Sequence, residues 1–489
     1  MDEGGMFRYV GCGSDAAFRG VRGRGARRKI EMTTRVTFPK GFLWATATSS
    51  YQIEGAANED GRGESIWDRF AKTSGRIKDG SNGDVACDHY HRWQEDIDLM
   101  KELGLAAYRF SVAWPRIFPT GSGSLNQRGL DFYARLVDRL LERGIAPYVT
   151  LYHWDLPQAL QDQGGWMNRA TAARFAEYAD AVARRLGDRV KHWITHNEPW
   201  CAALLGHEKG IHAPGLRDFA AALAASHHLM LSHGLSVPII RSRSPGAEVG
   251  ITLNLSPSVP ASKSWQDARA ARYHDGYMNR WFLDPLFRAQ YPGDMVSDYA
   301  ALGHLPRDWS SLVRPGDLEQ IATPTDFLGV NYYNRHVARS SEIAEADNQP
   351  RTVVVGADAE HTDIGWEVYP EGMFEVLMRV HLEYRPAKVL VTENGAAYSV
   401  GPDAHKRIAD TKRVQFLRGH LLAARRAIDL GVPLEGYFLW SLMDNYEWDH
   451  GYTQRFGIAW IDYTTQERIL KDSALWYKRV IQENSVPVE

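Results

Sequence analysis

The sequence predicts an α/β fold, a single (β/α)8 barrel, and three observations carry that expectation. Short apolar runs of β-type composition alternate with longer amphipathic stretches, the pattern of βα units around a parallel sheet. The alternation supplies eight candidate strands, at 42–49, 107–112, 146–152, 190–195, 248–253, 327–332, 388–392 and 436–442, enough to close a barrel. Polar or aromatic residues stand at nearly every carboxyl end of these runs, where a barrel of this kind assembles its site. A chain of 489 residues could hold several domains by length alone, but such barrels commonly exceed about 250 residues as one unit.

Taken in order, the first run leads to Gln52 and Glu54, and 49–55 carries no glycine-rich phosphate loop of the type that opens a doubly wound nucleotide-binding sheet. Arg109 lies within the second run; His153 and Trp154 follow the third, and Asn197 and Glu198 the fourth. Asn254 follows the fifth, Asn331 and Tyr333 mark the end of the sixth, and Glu393 follows the seventh. Trp440 lies in the eighth, with Glu447 and Trp448 beyond it. Helical spacing of apolar residues fills the intervals at 93–103, 127–143, 169–186, 219–233 and 414–430. Gly104, Gly144, Gly187 and Gly431 stand where four of these helices should stop.

Composition narrows the function classes. A net charge of −3 gives no reason to expect a nucleic-acid or membrane-surface partner, and no apolar stretch approaches the roughly 20 residues that span a bilayer. Three cysteines, Cys12, Cys87 and Cys201, are too scattered for a disulfide framework, so a reducing, cytoplasmic setting is expected. Sixteen Trp and 22 Tyr supply many flat apolar faces with polar handles, a surface suited to sugar rings. Residues 1–31 differ from the rest: Arg8, Arg19, Arg22, Arg24, Arg27, Arg28 and Lys29 outnumber the acids, and no apolar core of a secretory signal is present. They are expected to form a disordered extension, with residues 32–489 as the catalytic domain.

The chemistry is suggested by Glu198 and Glu393, each at the end of a buried-type strand and each beside an asparagine. An ionised carboxylate there loses hydration and needs partners. Two carboxylates flanking one bond, one as proton donor and one as nucleophile or base, are what glycoside hydrolysis requires. Cys87, Asp88, His89 and His91 superficially suggest a metal cluster, but no second ligand pair lies at zinc spacing, so no metal or organic cofactor is expected. His227, His228 and His233, on a helical pattern, are expected to be solvated or to cap.

From about Phe38 to Tyr477 the chain resembles glycoside hydrolase family 1, the β-glucosidase family, through the stretches 42–55, 108–117, 195–199, 331–333, 391–395 and 440–457. The resemblance implies that Glu198 is the general acid/base and Glu393 the nucleophile of a retaining mechanism, their carboxyls about 5–5.5 Å apart. It further implies that Arg109 and Tyr333 hold Glu393 and that Asn197 bonds the sugar 2-hydroxyl. Gln52, His153, Trp154, Asn331, Trp440, Glu447 and Trp448 would recognise the glycone, with Phe456 near its 6-position. Trp366 would form the aglycone platform, Trp200 and Leu205 would narrow the entrance, and Trp440–Ser441 would be a cis peptide. Glu447 and Trp448 argue against a 6-phosphosugar, and an intact Glu198 argues for ordinary O-glycosides.

The expectation is therefore hydrolysis of terminal β-D-glucosyl residues of cello-oligosaccharides and aryl or alkyl β-glucosides. Two alternatives stay open at this level: a broader β-glycosidase acting on galactosides or fucosides, and a sugar-binding barrel without turnover. Oligomeric state has no signal in the sequence.

Overall fold

Eight parallel strands close on themselves: β1 Leu43–Ala47, β2 Ala107–Ser111, β3 Ala146–Tyr152, β4 His192–Asn197, β5 Glu248–Asn254, β6 Phe327–Asn331, β7 Val389–Asn394 and β8 Leu434–Trp440. Each pairs with its neighbour in sequence, and β8 pairs with β1 to complete the ring. The computed structural model describes residues 34–340, 351–353 and 359–489. The extension expected over 1–31, and the domain start at 32, lie outside the described residues.

The main helices run over the outside of the ring: α1 His89–Leu103, α2 Gln127–Glu142, α3 Ala170–Leu186, α4 Phe219–Arg243, α5 Trp281–Arg288, α6 Pro370–Arg379, α7 Thr411–Asp429 and α8 Asp472–Glu483. In α2 the apolar side chains Leu130, Tyr133, Ala134, Val137 and Leu140 recur every three or four residues and are buried, which fixes the face that packs on the sheet. Each such aliphatic burial stabilises by about 1.5–3 kcal/mol, so a charge at Val137 would break this contact. Inside the ring the packing is different. Ala45, Ala47 and Ala107 leave room for Tyr148, Phe327, Phe438 and Trp440 to fill the barrel axis.

Strand order and helix order agree with the sequence expectation; several boundaries do not. The fourth and seventh strands extend further than the apolar runs, so Asn197, Glu393 and Asn394 belong to strands. Both strands break register there: β4 against β5 between Ile194 and Asn197, and β7 against β6 between Val391 and Glu393. Such irregularities re-aim side chains at strand ends. Helix α4 was expected to stop near His233 and instead continues past Pro238. Proline cannot donate to the carbonyl one turn earlier, and here the Gln320 amide donates to Gly234 O at 2.7 Å in its place.

His227, His228 and His233 are buried, contrary to the solvated role expected of them. They bond the Asp317 carboxylate, the Trp166 carbonyl and the Thr195 hydroxyl, so a helix enclosed by neighbouring elements has turned its histidines into internal ties. Glu54 is also structural. Its carboxylate is paired with buried Arg116 and accepts from Tyr133, away from the cavity. Gly187 ends α3 with φ −70°, not in the left-handed form that Gly104, at φ 77°, adopts. At Gly187 a side chain would meet the Ala183 and Arg243 carbonyls, each 2.5 Å from the Cβ position.

Candidate active site

At the carboxyl-terminal mouth of the barrel the ends of β3 to β8 surround a cavity of about 390 Å3. Its wall includes Glu198, Glu393 and Glu447 together with Trp440 and Trp448. Burial of three acids in one apolar-lined hollow is unfavourable unless partners compensate, so their partners define what each can do.

Glu393 has two strong donors. Arg109, wholly buried in β2, reaches Oε1 through Nη1 at 2.6 Å, and the Tyr333 hydroxyl reaches Oε2 at 2.7 Å. The same guanidinium donates to Asn197 Oδ1 at 2.6 Å and to Thr150 Oγ1 at 3.1 Å, which locks it in the barrel floor. Glu198 has weaker support: Asn331 Nδ2 donates to Oε1 at 2.6 Å, and Cys201 Sγ lies 3.1 Å from Oε2. Burial pushes both carboxyls upward; Arg109 and Tyr333 pull Glu393 back, whereas the charge of Glu393 adds to the rise at Glu198, which reaches about 8. The pair is therefore asymmetric, with Glu393 ionised first and Glu198 holding a proton at neutral pH.

Backbone conformation places these groups. Glu198, Trp154 and Trp448 adopt φ of 47°, 79° and 48°, a left-handed region that costs a non-glycine residue and that the surrounding structure must hold. Gly395, immediately after the Glu393–Asn394 strand end, lies against the Trp440 carbonyl, where a Cβ would approach to 1.7 Å. Trp440–Ser441 is a cis peptide, as the resemblance implied.

The structure brings the remaining sequence-derived residues to the same mouth. His153 Nε2 faces the Asn197 amide at 3.1 Å, while His153 Nδ1 is buried without a partner and its ring lines the cavity. Burial and Arg109 hold His153 well below its usual range, so it is neutral. Trp154 donates to the Asn197 carbonyl at 2.8 Å and packs on Trp448, with ring centroids 4.4 Å apart. Gln52 receives a hydrogen bond from Ser49 at 2.6 Å and donates to Asn445 Oδ1 at 3.0 Å, with a longer 3.4 Å contact to Glu447. Burial pushes Glu447 well above the carboxylate range, and Asp449 adds to that. Trp366, Phe456 and Tyr333 form an aromatic group in the wall, and Trp200 and Leu205 line the same cavity as Glu198.

Sequence reasoning missed part of the wall. Cys201 was not among the expected residues; it opens a π-helical segment, Cys201–Lys209, three residues after the acid, and the same segment carries the expected Leu205. Ile211, Leu255 and Ile364, from loops, Met278, from the π-helical segment Gly276–Arg280, and His336, from the short strand His336–Arg339, also line the cavity and carry no local signature. The spacing of three residues from Glu198 to Cys201, one turn, was the one signal available. Cys87, His89 and His91 do not converge: they contact the Asp444 carbonyl, Asp96 and Asp88 respectively.

Comparison with known proteins agrees with this arrangement. The chain is 49% identical over 454 residues to β-glucosidase A of Acetivibrio thermocellus, covering 92% of this chain and 99% of the relative. A bifunctional β-D-glucosidase/β-D-fucosidase of Bifidobacterium breve is 45% identical over 465 residues, covering 92% and 99%. The solved family 1 β-glucosidase of Thermotoga maritima superposes with a TM-score of 0.88 at 46% identity, covering 92% of this chain and 99% of that one. The family model described as glycosyl hydrolase family 1 matches residues 34–486, so the barrel, its two opposed glutamates and nearly the whole described chain belong to glycosyl hydrolase family 1.

Proposed function

We propose that this chain is a retaining β-glucosidase that removes terminal non-reducing β-D-glucosyl residues from cello-oligosaccharides and from aryl or alkyl β-glucosides. The observation that carries the reading is the asymmetry of the two glutamates: one held ionised by a guanidinium and a phenol, the other kept protonated by burial and by its neighbour's charge. Glu393 attacks the anomeric carbon while Glu198 gives its proton to the departing glycosidic oxygen. Once Glu393 is esterified its charge is gone, so Glu198 becomes the stronger acid and, now ionised, deprotonates the incoming water. Water then opens the ester, and both carboxyls return to their starting states. Each step is a proton or glycosyl transfer among groups of this chain, the sugar and water.

Asn197, fixed by Arg109, is the partner for the sugar 2-hydroxyl; Gln52, His153, Asn331, Trp440, Glu447 and Trp448 engage the remaining ring positions, with Phe456 near the sugar 6-position. Trp366, Trp200 and Leu205 contact the leaving group. A small-molecule sugar is the partner of the site, and the buried free thiols of Cys87 and Cys201 favour a cytoplasmic location. Among the described residues no helix is long and apolar enough to cross a membrane. A broader glycone range is favoured by one observation, the fucosidase activity in the printed name of the Bifidobacterium relative. Relative kcat/KM on nitrophenyl glucoside, galactoside and fucoside decides between the two.

The test is cellobiose hydrolysis with NMR of the newly released anomer, run beside Glu393→Ala. Early β-glucose, absent in the variant, is expected. Early α-glucose would refute double displacement, and no turnover of any glucoside would leave a binding protein.

A further inference from the structure

Glu198 must do two opposed things in one turnover, donate a proton and later accept one, and its two oxygens are held differently. Oε1 accepts from the Asn331 amide, a group that can only donate, at 2.6 Å. The proton of the neutral acid therefore belongs on Oε2, and the group facing Oε2 is the buried thiol of Cys201, with Sγ 3.1 Å away. We propose that Cys201 is a positioning residue that holds Glu198 Oε2 through its thiol and lets one carboxyl serve as acid in the first half-reaction and base in the second; the inference rests on the role given to Glu198 above.

A thiol suits this place because it is a weak donor and a weak acceptor and turns freely about one bond. Towards the ionised carboxylate it donates S–H. Towards the neutral acid it competes poorly for the proton that the leaving oxygen needs. A hydroxyl would donate more strongly and bias the carboxyl towards its charged form; a methyl group would offer nothing. The thiol keeps its own proton, because burial and the charges of Glu198, Glu393 and Glu447 all push Cys201 well above its usual range. The other groups acting on Glu198 are the repelling charge of Glu393 and the stabilising Asn331 amide and Arg109 guanidinium. The other titratable groups in the cavity wall are Glu447, Tyr333 and the neutral His153, with Lys78, His212, His336, Asp449 and His450 also lining it. Cys201 reaches this spot because the chain turns immediately after the acid, its backbone N–H bonding the Glu198 carbonyl at 2.9 Å.

The experiment is the pH dependence of kcat/KM on p-nitrophenyl and 2,4-dinitrophenyl β-glucosides for the full chain and for Cys201→Ala, Cys201→Val, Cys201→Ser and Glu198→Gln. Removing the donor disfavours the carboxylate, so Ala and Val should move the basic limb up by roughly half a pH unit. The stronger hydroxyl donor should move it down by a similar amount. Opposite signs for Ser and for Val are the diagnostic, since a packing role alters melting temperature or KM without reversing a pH limb. Shifts of the same sign, or none above about 0.1 unit, would overturn the inference, and Val with Ser suffices if Ala fails to fold. A basic limb that survives in Glu198→Gln would show that Glu198 is not the acid and would remove both readings. A limb lost in that variant but unmoved in the Cys201 series would remove the thiol's role alone.

Discussion

At the amino-terminal mouth of the barrel, Glu248 and Glu435 both reach Lys388, at 2.6 and 3.0 Å, and Glu248 also approaches His192 Nδ1 at 3.3 Å. At the carboxyl-terminal mouth Glu198, Glu393 and Glu447 line one cavity, and Arg109 pairs with Glu393 alone among the three. The lower acids keep 34% and 57% of their side-chain surface in contact with solvent; Glu198 and Glu393 are only 6% and 3% exposed. Charge neutralised and wetted is a way to close a barrel end. Charge crowded, buried and under-compensated stores the driving force for moving protons, because each acid's protonation then depends on its neighbour's state.

The strongest way to break this contrast is to remove an acid from the crowded end. Glu198→Ala should lower kcat/KM on cellobiose by about 10³-fold or more, since general acid catalysis supplies roughly 10²–10⁴. The dinitrophenyl glucoside, whose leaving group needs no proton, should lose far less in its first step. Equal losses on both substrates, measured as leaving-group dependence of kcat/KM, would contradict the assignment.

Arg109→Met is expected next in size, a fall of about 10²–10³-fold, since it removes a donor to Asn197 and leaves Glu393 without a cation, held by Tyr333 and Asn331. The sign in pH is fixed: the guanidinium favours ionised Glu393, so its loss raises that group and moves the acidic limb of kcat/KM upward. An unmoved limb would show that Arg109 does not set the ionisation of Glu393.

A smaller, sharper effect concerns stability. Glu198 is raised to about 8 in the folded chain against an ordinary value of 4.5. The folded state therefore binds the extra proton across that window, and the stability tied to neutral Glu198 is full below 4.5 and is lost as pH rises through 8. Glu198→Gln, which cannot ionise, should melt higher than the parent at pH 8–9, with the gap closing towards pH 5. Parallel melting curves across that range would refute the raised pKa.

What could be read without coordinates follows the same contrast. Strand order, the barrel class and the two glutamates were legible because apolar runs and polar strand ends are local features. The end of β4 was not, because His196 and Asn197 read as loop while their pairing depends on β3 and β5 across a register break. The length of α4 was hidden for a related reason: Pro238 signals a stop, and only Gln320, far along the chain, removes it. His227, His228 and His233 looked solvated because their partners Asp317, Trp166 and Thr195 are distant in sequence. Local pattern gives elements; satisfaction of buried polar groups is a long-range property.

The smallest expected effect tests the quiet end of the barrel. Lys388→Met leaves Glu248 and Glu435 facing one another without their shared cation, yet both remain wetted, and partly exposed pairs contribute about 0–1 kcal/mol. Burial lowers the Lys388 pKa, but the hydrogen bonds to Glu248 and Glu435 outweigh it and leave the group raised, so the ammonium is charged at any working pH. Loss of that charge should lower the melting temperature by a few degrees at most in low salt, and by less at high ionic strength, where screening already weakens the pair. Values of kcat/KM should match the parent throughout, because β7 carries Lys388 just before its first residue and Glu393 near its last. A salt-independent loss, or a change in turnover, would mean that the two mouths are coupled through the strand and that the contrast between them is one of degree.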